Sequence, residues 1–345
     1  MLDNNLNVVD LTDLGGPLPL DIVETIKILD VTEDWEISRD EQPCESLGYP
    51  SIVKNDRGPN PDGKFYLYFA HHDLHSGIGC AVAEDVVGPY KKIAELDPDR
   101  EDSRVLRHRD AKVYHHLSSP SVVWNPQTEL WHLYFHTYIN LWESGEGHQQ
   151  TYLATCRDLA THQWDIQKKP DGMWKIVLPV SKENWMNSQS SYHGIYVLPD
   201  GTFLAFLSGG GGKTDEETGK LVFPYGGMGF GASRDGLEWE YFPENPIFKQ
   251  GECHKVGFIG YLGDGEYLVV WGRINWVGGE VRRTVEEKQI FYGTTKDFKT
   301  IVPDPRGPAH WSSLDRNDML STWREGNKLF IFGGKHIHVM ELPVS

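Results

Sequence analysis

The sequence predicts an all-β chain folded as a five-bladed β-propeller, closed by its N- and C-terminal strands. Three observations carry this. One type of aromatic-aliphatic strand recurs five times, each copy follows a short polar turn, and 36 glycines and 20 prolines in 345 residues favour turns over long helices. Hydrophobic residues make up 39% of the chain, enough to pack the interior of such a repeat.

The recurring strands read "FYLYFA" at 65–70, "WHLYFH" at 131–136, "TFLAFL" at 202–207, "EYLVVW" at 266–271 and "KLFIFG" at 328–333. Ahead of them stand the turns "PDGK", "PQTE", "PDG", "GDG" and "EGN", rich in the Gly, Asn and Asp of hairpin connections. Before each turn lies a shorter strand: "YPSIV", "SPSVV", "HGIYV", "GFIGY" and "LSTW". A third strand ends at Asp85, Asp158, Asp235 and Asp297, each followed within a few residues by an aromatic. The repeat gives one domain over 1–345, with blades near 45–100, 115–170, 190–245, 254–305 and 318–345. The last blade is short of sequence, and the segment 24–40 is expected to supply its outer strand, removing an exposed edge. A pair of β-sandwiches would use similar strands but would not repeat one hairpin five times.

The formal charge of −17 excludes nucleic acid and an anionic membrane surface as partners, because both demand clustered Lys and Arg. The four cysteines are scattered, with no CxxC pair, so neither a disulfide framework nor a thiolate zinc site is expected. The first sixteen residues have no basic and apolar regions of a signal peptide, and no run reaches the roughly 18 apolar residues of a membrane span. A cytoplasmic location is the expectation. Oligomeric state leaves no mark in the sequence.

In a propeller the hairpin turns gather on one face. Here they are short and polar, and they are assigned no function. The other face receives the loops between second and third strands and the leads into first strands. Loops deliver His71, His72, Asp73 and His75, then His136, Trp142, His148 and Gln150, and further on Arg273 and Trp276. Leads deliver Glu45, Tyr49, His115, His116, Ser119, Tyr192 and His193, then Glu252, His254, Lys255 and Asp318. Most of the 15 histidines are thus expected around one mouth. The run "GGGG" at 209–212 has no following Lys-Ser/Thr, so it is no phosphate loop and reads as flexible backbone, suited to a lid.

The stretch "YPSIVKNDRGPNPDGKFYLYFAHH", the "GPY" after the third strand, "SPSVVWNPQTELWHLYFH" and "GASRDGLEWEYF" resemble the five-bladed propeller glycosidases: arabinanases, β-xylosidases and fructan hydrolases. The resemblance spans about residues 45–335 as a style of repeat. It implies a carbohydrate-active enzyme with an oligosaccharide substrate. In arabinanase-like members an Asp commonly precedes the Pro that opens blade one. Here Tyr49 precedes Pro50 and Ser119 precedes Pro120, so the family's carboxylate triad is not carried over. The chain resembles a histidine-rich, divergent branch.

Glycosidic hydrolysis needs one carboxylic acid to protonate the leaving oxygen and one carboxylate to activate water or attack carbon. Glu45, Glu252 and Asp318 are the catalytic carboxyl candidates, with His116, His193 and Tyr192 beside them. Tyr49, His71, His72, Asp73, His115 and Ser119 are candidate sugar contacts. Trp142, His148, Gln150, Lys255, Arg273 and Trp276 join them, the tryptophans offering flat faces to sugar rings. An exo-acting glycoside hydrolase is the first reading. A lyase using a His/Tyr base on uronate sugars is the second, since imidazole titrates near neutrality. A non-catalytic carbohydrate-binding propeller is the third, though it should repeat one site on every blade and these loops differ. A divalent metal ion in the central channel is also entertained, with His254 as its ligand.

Overall fold

The computed structural model describes residues 7–37, 47–71, 76–107, 116–139, 148–181, 184–214, 221–249, 252–253, 255–273, 276–277, 280–281, 289–311 and 319–345. Regular structure among them is almost wholly strand. Five antiparallel meanders follow one another along the chain. The first runs Gly48–Lys54, Phe65–Ala70, Ile78–Ala83 and Lys91–Lys92. The second holds Ser118–Asn125, Leu130–Ile139 and His148–Cys156, with Asp165–Ile166 and Ile176–Leu178 outside. The third holds Gln189–Val197, Phe203–Thr214 and Leu221–Ser233, and one parallel bridge, Gln149 to Gln189, joins it to the second. The fourth runs Lys255–Gly263, Glu266–Arg273 and Gln289–Thr295. The fifth runs Ser321–Glu325, Lys328–Gly333 and His336–Glu341, and Glu24–Lys27 pairs antiparallel with its last strand. The N-terminal segment therefore supplies that outer strand, as its sequence led us to expect.

Apolar side chains from each sheet meet those of its neighbours, so the core is a series of wedges between sheets. One wedge joins the fifth sheet to the first through Phe330, Phe332 and Val339 against Leu67 and Phe69, with Trp35 of the N-terminal segment. That segment is held by a buried ion pair: Lys92 Nζ lies 2.5 Å from the Glu36 carboxylate, and the two side chains are 3% and 0% exposed. Glu36 also accepts from the backbone N–H of Thr32 and Glu33, which compensates part of the desolvation cost.

The first strand of each sheet lies against the first strand of the next, and Ser321–Glu325 lies against Gly48–Lys54. Residues from all five line a narrow cavity of about 30 Å³. Such strands turn an edge of unpaired N–H groups toward a neighbour that stands too steeply to form a ladder. Serine hydroxyls at one repeat position fill the gap. Ser321 Oγ accepts from Ile52 N at 3.1 Å, Ser51 Oγ from Val122 N at 2.9 Å, and Ser121 Oγ from Ile195 N at 3.0 Å. The third sheet carries Gly194 at this position. There the chain inserts residues 7–10 instead: Asn7 Oδ1 accepts from Val197 N at 2.8 Å, and Val9–Asp10 pairs parallel with Gly260 and Tyr261 of the fourth sheet.

The glycine run departs from expectation. Gly209 and Gly210 lie inside the strand Phe203–Thr214 and pair with Gly227 and Gly226. A Cβ on Gly209 would come within 2.3–2.6 Å of Trp185, and one on Gly229 within 2.3 Å of Asn245 Oδ1. These glycines permit close packing against Trp185 and Asn245 and are not selected for mobility.

Ser51→Ala and Ser121→Ala each orphan a buried N–H and should lower unfolding free energy by about 1–3 kcal/mol. Denaturant titration checks this, and a loss under about 0.5 kcal/mol for both would refute the bridging role.

Candidate functional site

Four of the five first strands begin with the same irregularity. Between Gly48 and Ser51, Ser118 and Ser121, Ser191 and Gly194, and Val256 and Ile259, one extra residue enters the strand relative to its partner. Such a bulge bends the strand and re-aims a side chain. Tyr49, Ser119 and Tyr192 occupy it with φ of 54°, 53° and 45°. A left-handed backbone costs a side-chain-bearing residue of order 1–3 kcal/mol, and glycine avoids that cost. Gly257 stands at the matching place in the fourth sheet without a left-handed φ, and a Cβ there would come within 2.1 Å of the Val270 carbonyl oxygen. Side chains retained at three such positions make this rim the candidate site.

The bulges bring sequence-distant groups together. The Tyr49 and Tyr192 rings are 6.0 Å apart, His136 lies 4.7 Å from Tyr192, and His116 lies edge-on to His136 at 5.2 Å. Gln149 Nε2 approaches His116 Nε2 at 3.3 Å. His116 and His136 are buried, at 3% and 0% exposure, and Tyr192 is half-buried. Among the described residues, no group hydrogen-bonds the buried Oγ of Ser118, Ser119 or Ser191, or Nε2 of His193. Unmet polar groups this close to one rim are suited to a polar ligand.

His193 stands at the bottom of this cluster and lines the cavity between the five strands. Thr151 Oγ1 donates to Ser190 O at 2.8 Å, so its lone pair faces His193 Nδ1 at 3.0 Å. Burial pushes this imidazole down to about 4, with the Tyr134 carbonyl opposing. It is neutral at pH 7.

The sequence candidates thus divide. His116, His193, Tyr192, Tyr49 and Ser119 come together. Glu252 does not join them: it is exposed, and its Oε2 closes a turn by accepting from Lys249 N at 2.7 Å. Gln150 is buried facing the other side of its strand from Gln149, its Oε1 accepting from Val180 N at 3.0 Å. His71 is buried too, bonded through Nε2 to Trp35 O and stacked on that indole, so it anchors the N-terminal segment. His148, Lys255, Arg273 and Trp276 lie in strands, paired with Ile139, Gly272, Gln289 and Val281. Glu45, His72, Asp73, His115, Trp142, His254 and Asp318 lie outside the described residues. Among the described residues, no three His, Cys, Asp or Glu side chains are grouped to hold a metal.

The histidines are more dispersed than their sequence positions implied. His132 is packed within its sheet and His162 lies in a turn beside the Tyr66 ring, and burial lowers both to about 4. The aromatic strands need polar fillers as well as apolar ones, and His132 serves there through Asn125 and Tyr134. The sequence analysis missed Ser118, Thr151 and Ser191. Small hydroxyls in strands carry no signal until the bulge is seen.

No protein-family model and no curated protein matches this chain. Solved structures do. One described as a glycoside hydrolase superposes with a TM-score of 0.60 at 13% identity, over 92% of this chain and 91% of its own. A family-43 β-xylosidase/α-arabinofuranosidase from a compost microbial metagenome, in complex with xylotriose and calcium-free, gives 0.53 at 14%, over 86% and 91%. An N-acetylgalactosamine deacetylase from F. plautii, in complex with blood group B trisaccharide, gives 0.51 at 12%, over 90% and 84%. At such identities the likeness establishes a shared fold, and the reaction must be argued from the site.

Because His132, His162 and His193 have folded-state values near 4, the unfolded chain takes up protons first as pH falls below about 6.5. Stability from these groups is complete above that pH and is lost between about 6.5 and 4. A shift of His193's size corresponds to about 3 kcal/mol. The denaturation midpoint should therefore fall from pH 7 to pH 4.5, and a level midpoint over that range would contradict these buried neutral imidazoles.

Proposed function

We propose that this chain is a carbohydrate-active enzyme, an exo-acting glycoside hydrolase on oligosaccharides, working at the rim formed by Tyr49, Ser119 and Tyr192. The observation that carries the reading is this trio of left-handed residues converging with His116, His136 and His193, on a fold shared with glycoside hydrolases. The five sheets are read as blades of one propeller. In support, one narrow cavity touches all five first strands, and Ser321 of the last sheet bonds Ile52 of the first.

In this reading Tyr49, Tyr192 and His116 contact sugar hydroxyls, and the unmet serine hydroxyls take further hydrogen bonds. Glu45 and Asp318, just ahead of the first strands of the first and fifth sheets, serve as the acid and base. Glu252 drops out because of its exposed, turn-closing position. The cavity below the rim admits about one water, so the site has a floor, which suits a chain end. A divalent ion in the channel would draw on His193, whose Nε2 is buried without a partner among the described residues. Carbonyl oxygens or waters would complete its shell, and its charge would offset the missing cationic groups at the rim.

The second reading is a lyase. The described rim offers tyrosine and neutral histidine and no carboxylate, the groups a proton abstraction beside a uronate would use.

Incubation with arabino-, xylo- and galacturono-oligosaccharides separates the readings. Reducing ends without an ultraviolet-absorbing product indicate hydrolysis, and an unsaturated absorbing product indicates elimination. Turnover of none, with binding retained, would overturn both enzymatic readings. Glu45→Gln and Asp318→Asn should each lower kcat by about 100-fold or more, and Tyr192→Phe should lower kcat/KM by about tenfold, or ~1.4 kcal/mol. Calcium or zinc should raise the melting temperature of chelator-treated wild type and not of His193→Gln. Equal shifts in both would remove His193 from any metal site.

A further inference from the structure

A hollow lies at the opposite end of the same axis, on the face of the hairpin turns. It has a volume of about 630 Å³, within the ~300–1,000 Å³ typical of small-molecule sites. Its floor is apolar: Val8, Ile52, Val53 and Val122 are all at least nine-tenths buried. Its wall carries tryptophans from two sheets. Trp124 is half-buried and meets Trp131 edge-on at 5.3 Å, while half-buried Trp323 is held edge-on against Phe65 at 5.2 Å. Their positions are thus fixed before any ligand arrives.

The rim chemistry narrows the ligand. Asp10, Asp13, Asp56 and Glu325 contribute four carboxylates, against the cations Lys54 and Arg324. Arg324 is already committed to Asp13 at 2.7 Å and to the Gly326 carbonyl at 2.9 Å, and Lys54 Nζ sits over the Phe65 ring at 5.1 Å. A phosphate or carboxylate ligand would find repulsion there. A lipid tail would desolvate these carboxylates and Asn327. A neutral polyhydroxylated ring satisfies both parts: its C–H face packs on indole, and its hydroxyls donate to carboxylates.

We propose that this hollow is a second, non-catalytic site that binds a short neutral oligosaccharide. It stands independently of which reaction occurs at the other mouth. The test is calorimetric titration of the full chain with xylotriose, cellotriose and trigalacturonate, with product formation followed separately on the same samples. At least one neutral trisaccharide should bind, and trigalacturonate at least tenfold more weakly. Trp124→Ala should weaken the neutral ligand at least tenfold. Asn327→Trp, which fills the mouth without removing packed atoms, should do the same. Three results would overturn the site: no neutral trisaccharide binding, wild-type affinity in Asn327→Trp, or tighter binding of trigalacturonate.

Discussion

The structure depends on how strands crowded around one axis satisfy their inward edges. Each first strand has one side in a ladder with its own sheet and the other against a neighbouring first strand at an angle that forbids pairing. The backbone N–H of Ile52, Val122 and Ile195 would be buried and unmet without a side-chain acceptor, at a cost of about 1–3 kcal/mol each. A hydroxyl one residue back on the adjacent strand is short enough to reach. The same constraint explains residues 7–10. Where Gly194 provides no hydroxyl, a piece of chain occupies the gap and brings its own amide and backbone groups. Arg324 then ties that piece to the fifth sheet through Asp13.

The bulges follow from the same crowding. Strands that converge must splay at one end, and an extra residue turns each outward there. In three of the four bulges the extra residue is left-handed, a conformation cheap for glycine and costly for anything else. Tyr49, Ser119 and Tyr192 accept that cost. Tyr49 and Ser119 are buried there and Tyr192 half-buried, with His136 against the Tyr192 ring and His116 against His136. Burial keeps His193 neutral beneath this rim.

Much of the fold was legible because it rests on period-two strands and turn chemistry, and both survive in one sequence. The five copies of the second strand, the Asp-capped third strands and the N-terminal strand in the last sheet all follow from pattern. The recurring serine of "YPSIV", "SPSVV" and "LSTW" was visible as text, but its meaning is a contact between sheets that no local pattern states. The bulges were illegible for the same reason: an extra residue is defined only against its partner strand. Histidines misled because imidazole fills polar cavities within sheets as readily as it lines a mouth, as His71 and His132 do. The run of glycines misled because close approach and flexibility select the same residue, and only Trp185 and Asn245 tell them apart.

The two ends of the axis are chemically separate. Asn7, Ile52, Val122 and Thr322 line both the small cavity beneath the bulged rim and the large hollow beyond it. They line a narrow cavity of about 30 Å³ between the two ends. The inserted N-terminal segment narrows that cavity while it replaces the missing serine contact. Coupling between the ends would have to travel through the rigid first strands, which the serine hydroxyls hold in register. Separate ends with unlike chemistry, neutral imidazole and tyrosine at one and indole with carboxylate at the other, can accordingly diverge in what they bind while one set of strands positions both.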